Sequence, residues 1–280
     1  MQNNPLVSIC IPIYNTEKFV HETLDCVLQQ TYTNLEIIFS DNCSTDKTVE
    51  IIKSYNDSRI KLYQNSENIG LVNNFIKVLS YASGKYMMFL GADDGMDYTA
   101  IEKGVAILED EKNKDLVIVN THIKIINDES KLVHTKKYIF GSGKISSYWG
   151  IRCNLFWGSN IIGEPNGTVF RRDAYEKTPN PKFKNGNTWT LDLDMKNELF
   201  LLGPGYMIPE ALGMFRLSAQ STSNKELKFA QAKLFREYAY TLYKDKRYKL
   251  SFFWVIVATI NSFILQIARN VFYKLFIKHK

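Results

Sequence analysis

Tyr86-Met-Met-Phe-Leu-Gly-Ala-Asp-Asp94 is the stretch on which the reading of this chain turns: five apolar residues lead, through two small ones, into a pair of carboxylates. A short apolar run closed by turn residues reads as a buried strand, and charge placed directly after it lies at the strand's carboxyl end. Working outward, residues 6–13 (LVSICIPI), 35–40 (LEIIFS), 60–63 and 116–119 repeat the pattern. The intervals between them have helical spacing. Phe19, Val20, Thr23, Leu24, Val27 and Leu28 mark a helix over 17–30; Ser44-Thr45-Asp46 opens a second, with Val49, Ile51, Ile52 and Tyr55; helices over 70–81 and 99–111 follow. Strand–helix alternation with short connections predicts an α/β fold with a parallel, doubly wound sheet.

Such sheets bind ligands beyond the carboxyl ends of their strands. Those places hold Tyr14-Asn15 after the first strand, Asp41 after the second and Asp93-Asp94 after the fourth. From about 130 to 190 the periodicity loosens into a Gly-, Asn-, Lys- and Trp-rich stretch (Trp149, Trp157, Trp189), which reads as a substrate-facing cover. Residues 190–202 are again helical and 206–216 strand-like.

The chain has 280 residues, 35 Lys+Arg against 29 Asp+Glu, and 45% hydrophobic residues. That excludes a disordered polymer, a collagen-like repeat and a many-span membrane protein. Its charge is uneven. Residues 225–280 hold 12 Lys/Arg and 3 Asp/Glu, net +9, which leaves the first 224 residues at −3. An acidic body with a basic tail suits an anionic surface rather than nucleic acid. Cys10, Cys26, Cys43 and Cys153 form no CxxC and read as reduced thiols. The run 6–13 is too short for a secretory core, so the protein is expected in the cytosol. His21, His122, His134 and His279 lack metal spacing, and GxGxxG, GxxxxGK[ST], HExxH and GxSxG are all absent.

Four segments in order, Val7-Ser-Ile-Cys-Ile-Pro-Ile-Tyr-Asn15, Ser40-Asp-Asn-Cys-Ser-Thr-Asp46, Asn68-Ile-Gly70 and Phe89-Leu-Gly-Ala-Asp-Asp94, resemble the successive motifs of glycosyltransferase family 2 over roughly residues 5–220. The resemblance implies the glycosyltransferase type A fold, Rossmann-like and built for nucleotide-diphospho-sugars. It implies a catalytic domain over 1–224, with a nucleotide-binding half at 1–120 and an acceptor half at 121–224. Pro12, Tyr14 and Asp41 become nucleotide contacts, joined by Asn15, Asn68, Gly70 and Asp94 as donor-binding residues. The family's Asp-x-Asp motif has Gly91 at its first position here, so Asp93 is the metal ligand with Asp94 beside it, holding Mn²⁺ or Mg²⁺ against the diphosphate. The family's acidic pair at a later helix start matches Leu191-Asp192 in Trp189-Thr-Leu-Asp-Leu-Asp194. Asp192 is then the general base and Asp194 the reserve. Ser218, after Arg216, stands where many relatives carry a histidine. Arg171 and Arg172 read as surface charge, and Trp157 as an acceptor-stacking or packing residue.

The expected reaction is a single inverting displacement from a nucleotide sugar, a UDP-sugar first, to a lipid-linked or polysaccharide hydroxyl in bacterial surface-glycan synthesis. A covalent route would need a carboxylate on the opposite sugar face; the sequence places none there and leaves Glu164 open. The competing readings are a catalytically silent nucleotide-sugar-binding scaffold and a nucleotidyltransferase. In the tail, 226–243 reads as a basic helix, and 250–268 is uncharged for 19 residues, about 28 Å of helix against a hydrocarbon core of about 30 Å. Basic flanks on both sides (Lys244, Lys246, Arg247 and Lys249; Arg269, Lys274, Lys278 and Lys280) and the stripe Thr259, Ser262, Gln266 favour helices lying in the inner leaflet of the cell membrane over a span or a packing helix. The sequence leaves the oligomeric state open.

Overall fold

The computed structural model describes residues 4–139, 141–179, 190–217 and 230–276. Trp189, Ser218, residues 226–229 and 277–280, and the side chains of Arg269 and Lys274, lie outside this description. Four parallel strands, β1 (Val7–Ile13), β2 (Leu35–Asp41), β3 (Ile60–Gln64) and β4 (Tyr86–Phe89), lie in the order β3-β2-β1-β4, joined by α1 (Val20–Leu28), α2 (Thr48–Ser54) and α3 (Leu71–Ser80). β1, β2 and β4 are almost entirely buried because both faces are covered, and the polar residues within them, Ser8, Glu36, Ser40 and Asp41, are buried too. Cys10, Ile38, Met87 and Phe89 point into one core with Phe75, Val78 and Leu79 of α3. Ile9, Ile11, Ile37, Phe39 and Met88 point into the other, with Val20, Leu24 and Val27 of α1 and Ile101 and Val105 of α4 (Ala100–Glu109).

The second half departs from the expected all-parallel sheet. After the two-residue β5 (Gly95–Met96) come β6 (Ile118–Ile126), β7 (Leu132–Lys136), β8 (Gly143–Ile145), α5 (Ser147–Trp157), β9 (Thr168–Arg171), α6 (Arg172–Glu176), α7 (Leu191–Leu202) and β10 (Gly205–Arg216). β9 is inserted antiparallel between β4 and β6, and β10 runs parallel to β6. The sheet is therefore mixed. Arg171 helps fix β9: its guanidinium donates to the carbonyls of Leu116 and Leu108 and to the Tyr86 hydroxyl. It is an internal strut, not the surface charge expected, whereas Arg172 bonds Gly84 and the exposed Glu176. Because β9 opposes β4, with Met88 paired to Val169, the segment entering β9 lies at the carboxyl end of β4.

Of the tail set apart by composition, the described residues 230–276 are packed on this body. α8 (Ala230–Lys244) and α9 (Phe252–Phe276) follow β10. Phe235, Tyr238, Ala239, Leu242, Tyr248 and Ala258 share a core with Leu199 and Phe200 of α7. The Asn197 amide donates to the Tyr238 hydroxyl at 2.7 Å. Glu198, 2% exposed, takes both arms of Arg247 at 3.0 and 2.9 Å and the Tyr248 hydroxyl at 2.8 Å. α9 meets α5 at Gly158, whose φ of +61° favours glycine and where a Cβ would stand 2.4 Å from the Ser262 nitrogen. Among the described residues no helix is long and apolar enough to cross a membrane. The polar stripe of α9 turns inward: Ser262 and Gln266 are buried, whereas Phe253, Ile256, Ile260, Ile264, Ile267 and Val271 face solvent.

Candidate active site

The loops after β1 and β2 are tied together. Asn15 takes a left-handed φ of +51°, which asparagine tolerates, and its side-chain oxygen accepts from Thr45 N at 2.8 Å while its own N–H donates to Ser44 Oγ at 2.9 Å. Pro12 lies within β1, opposite Ser40. Tyr14 is 47% exposed at the strand end. Asp41, buried and in register with Ile13, accepts from Ser44 N at 3.1 Å, the geometry of a turn cap. Both carboxylate oxygens keep lone pairs beyond that contact. Asn68 accepts from Asn42 Nδ2 at 2.7 Å and from Gly70 N at 2.9 Å. Gly70 has φ +82°, with open space where a Cβ would stand. Asn42, Asn65, Asn74 and Ser40 form an amide network behind this turn. Asn65 and Asn74 carry no sequence signal for this network, since isolated Asn residues read as loop formers.

Asp93 and Asp94 close the turn after β4. Arg216, 2% exposed, holds it: its Nε donates to Asp93 O at 2.8 Å and its backbone N–H to Asp94 Oδ1 at 2.9 Å, while its other nitrogens reach Asn127 O, Ser130 Oγ and Glu22. From α1, Thr23 Oγ1 donates to Ala92 O and Asp94 O. The two carboxylates fold over Gly91, where any Cβ would stand 2.8 Å from Asp94 Oδ2 and 3.2 Å from Asp93 Oδ1. Glycine at that position thus makes room for Asp94. Burial raises both carboxyls above the usual range, and the charge of Asp93 adds to the rise at Asp94. A hard divalent cation would relieve this unfavourable pair, so the donor set fits one. Among the described residues no group of three or more His, Cys, Asp or Glu could hold a metal, so the protein would supply one or two oxygens and the donor's phosphates and water the rest.

Asp192 opens α7. Its Oδ2 accepts from Asn160 Nδ2 at 2.7 Å, and burial, with the Glu164 charge, pushes its carboxyl up to about 6, against Lys196. Asp194, the reserve, is buried toward the packed tail, where burial raises Tyr238 and Tyr248 and the Asp194 charge adds to the rise. Glu164 accepts from Lys136 Nζ at 2.9 Å and begins the turn into β9. Burial is the main cause of the raised Asp94 and Asp192 carboxyls, and the Glu164 charge adds a smaller rise to each. The position of Glu164 follows from the antiparallel β9, which delivers it to the end of β4. It groups Glu164 with Asp192. Trp157 is 45% exposed at the end of α5, edge-to-face with Phe156. Lys196 and Asn160 had no sequence signal, because a helical lysine reads as surface and a loop asparagine as a turn former.

A cavity of about 230 Å³ behind the acid turn, lined by Glu22, Cys26, Met96, Met214 and Arg216 among others, lies on the α1 side and is smaller than a usual ligand site. The donor-side residues instead line the open strand ends.

A mixed sheet with these strand-end residues defines a glycosyltransferase of type A fold. TarS of S. aureus (residues 1–349, bound to UDP-GlcNAc) superposes with a TM-score of 0.67 over 98% of this chain and 76% of that one, at 16% identity. A mannosyltransferase of Pyrobaculum calidifontis, solved with GDP-Man and Mn²⁺, gives 0.66 over the same shares at 14% identity. The chain belongs to glycosyl transferase family 2, whose family model matches residues 8–178, and it is a transferase enzyme. It is 31% identical to an uncharacterized glycosyltransferase of Haemophilus influenzae over 80% of this chain and 69% of that protein. It is 39% identical to the UDP-Glc:α-D-GlcNAc-diphosphoundecaprenol β-1,3-glucosyltransferase WfaP of Escherichia coli, over 38% of this chain and 43% of that one.

Proposed function

We propose that this enzyme transfers a sugar, with inversion, from a nucleotide sugar to a hydroxyl of a lipid-linked or polysaccharide acceptor in bacterial surface-glycan synthesis. The observation that supports the reading is that antiparallel β9 brings the segment entering it to the carboxyl end of β4, from which Asp93-Asp94 follow, while Asn160 of that segment bonds Asp192 Oδ2 at 2.7 Å. Similarity to the glucosyltransferase WfaP favours a UDP-sugar donor and a diphosphate-lipid acceptor.

In this reading Tyr14, Asn15 and Asp41 receive the nucleoside, Pro12 shapes the β1 edge of that pocket, and the turn of Asn68 and Gly70 lets the donor approach the backbone. Asp93, with Asp94 beside it, would hold Mn²⁺ or Mg²⁺, whose charge offsets that of the departing diphosphate. Arg216 and Thr23 keep the two acids in place. Asp192 takes the acceptor hydroxyl's proton as its oxygen bonds to the anomeric carbon and the carbon–phosphate-oxygen bond breaks. Its raised pKa, about 6, suits a base that works near neutral pH.

The same reading places α9 on the inner face of the cell membrane. Its outward row Phe253, Ile256, Ile260, Ile264, Ile267, Val271 is apolar, Phe156 and Trp157 are exposed beside it, and Lys244, Lys246 and Lys249 stand exposed at one end for anionic headgroups.

The test is incubation of the full chain with labelled nucleotide sugars, Mn²⁺ and lipid-linked acceptors. Turnover that is lost in Asp93→Asn and in Asp192→Asn supports the proposal. Donor binding without turnover would indicate a scaffold, and pyrophosphate release a nucleotidyltransferase.

A further inference from the structure

We infer that Lys196 is a positioning residue for the transfer reaction: a buried ammonium, one turn from Asp192 and bonded to the Gly163 carbonyl next to Glu164, that favours the ionised proton acceptor and holds the loop beneath it in place. The inference rests on the reading of Asp192 as general base.

Lys196 is one helical turn beyond Asp192 on α7, so the two side chains share a face. It is fully buried, and a buried ammonium is retained only with compensating partners. Its Nζ donates to Gly163 O. That carbonyl also accepts from Asn160 Nδ2 at 2.8 Å, and the same amide group donates to Asp192 Oδ2. The arrangement needs glycine at 163, where φ is +116° and a Cβ would stand 3.1 Å from Asn120. The next residue is Glu164. Lysine, asparagine amide, carbonyl and base therefore form one continuous network.

A packing role alone would be served by leucine or methionine. The charges facing Lys196 are Asp192 on its own helix, Glu164 from the turn before β9 and Lys136 from β7. Glu164 is bonded to Lys136 and to the Tyr138 hydroxyl, and the Tyr238 hydroxyl of α8 lies on the tail side with Asp194. Burial pulls the lysine down to about 8, while the two carboxylates hold it up, so it is largely protonated at neutral pH. At Asp192, burial and Glu164 favour the neutral acid, and the lysine opposes both. During transfer Asp192 gains the acceptor's proton while Lys196 keeps its own. The ammonium sets the pH at which that acceptance is possible.

The experiment is the pH profile of kcat/KM from about pH 5 to 9 for the full chain, with Lys196→Met and Glu164→Gln beside the parent. Methionine keeps the bulk and removes the charge. The acid-limb midpoint should rise by about one unit or more, so that the variant's deficit is about tenfold larger at pH 6 than at pH 9. Glu164→Gln removes the like charge and should move the midpoint down. A uniform loss in Lys196→Met with an unmoved midpoint overturns the inference. Should Lys196→Met fail to fold, a Glu164→Gln midpoint that stays or rises overturns it equally. Asp192→Asn separates the two levels: parental turnover there sinks the base assignment, whereas a dead Asp192→Asn with a parental Lys196→Met profile sinks the lysine's role alone.

Discussion

Replacing Ile256, Ile260 and Ile264 together by serine isolates the proposed membrane contact. These residues are 47%, 54% and 60% exposed, so about half of each side chain is available to a bilayer and little of the core depends on it. Full burial of an isoleucine is worth about 1.5–3 kcal/mol, so the exposed portion contributes about 1 kcal/mol on entering lipid. Three such losses total about 3 kcal/mol, or about 150-fold in partition. The assay is co-flotation with vesicles of mixed neutral and anionic lipid. Each exposed lysine near the surface adds about 1 kcal/mol, so binding should also fall with salt. The unfolding temperature should barely move. Equal flotation of the triple variant and the parent would refute the reasoning, as would a parent that ignores vesicles but dimerises through this row. Truncation at residue 245 is no substitute, because it strips Arg247 and Tyr248 from the buried Glu198 and removes part of the core beside α7.

Asp192→Asn should lower kcat by about 10²–10⁴ while leaving donor affinity nearly unchanged, measured by turnover and by calorimetric titration of the donor. The parent's rate should fall about tenfold per unit as pH drops below about 6, because protonation of Asp192 removes the base. Gly91→Ala puts a methyl 2.8 Å from Asp94 Oδ2 and should weaken Mn²⁺-dependent donor binding at least about tenfold in a thermal-shift titration; parental binding would show that Asp94 need not sit there. Arg247→Ala leaves the Glu198 carboxylate buried with the Tyr248 hydroxyl. Because Arg247 itself is 46% exposed, the cost is about 1–2 kcal/mol, a drop of about 2–6 °C in Tm by calorimetry.

The parts of the fold that were legible are those where one local pattern suffices. β1, β2 and β4 are covered on both faces, so they read as mostly apolar runs and their ends carry the informative residues. Asp192 came from the resemblance to the family's acidic pair, at the start of a helix that is buried nearly all round and carries little period of its own. β9 was not legible, since four residues between Gly167 and Arg172 carry no period and gain their place from β4 and β6 on either side. That omission hid Glu164's position, which only the antiparallel pairing reveals. Lys196 was hidden for a different reason: a lysine's burial depends on partners distant in sequence. In α9 the polar stripe was visible, but its direction was not. Thr259, Ser262 and Gln266 suggested a watery face, whereas Ser262 and Gln266 turn toward the body and the isoleucines turn out.

The central claim is that Asp93 and Asp192 address one sugar–phosphate linkage from its two ends. A crystal of the full chain soaked with a non-hydrolysable UDP-sugar and Mn²⁺ tests it most directly. The diphosphate and metal are expected at Asp93, and the anomeric carbon on the Asp192 side with only enough space between them for an acceptor hydroxyl. A donor seated with Asp192 across the protein from its anomeric carbon, or a metal bound away from Asp93, would contradict it.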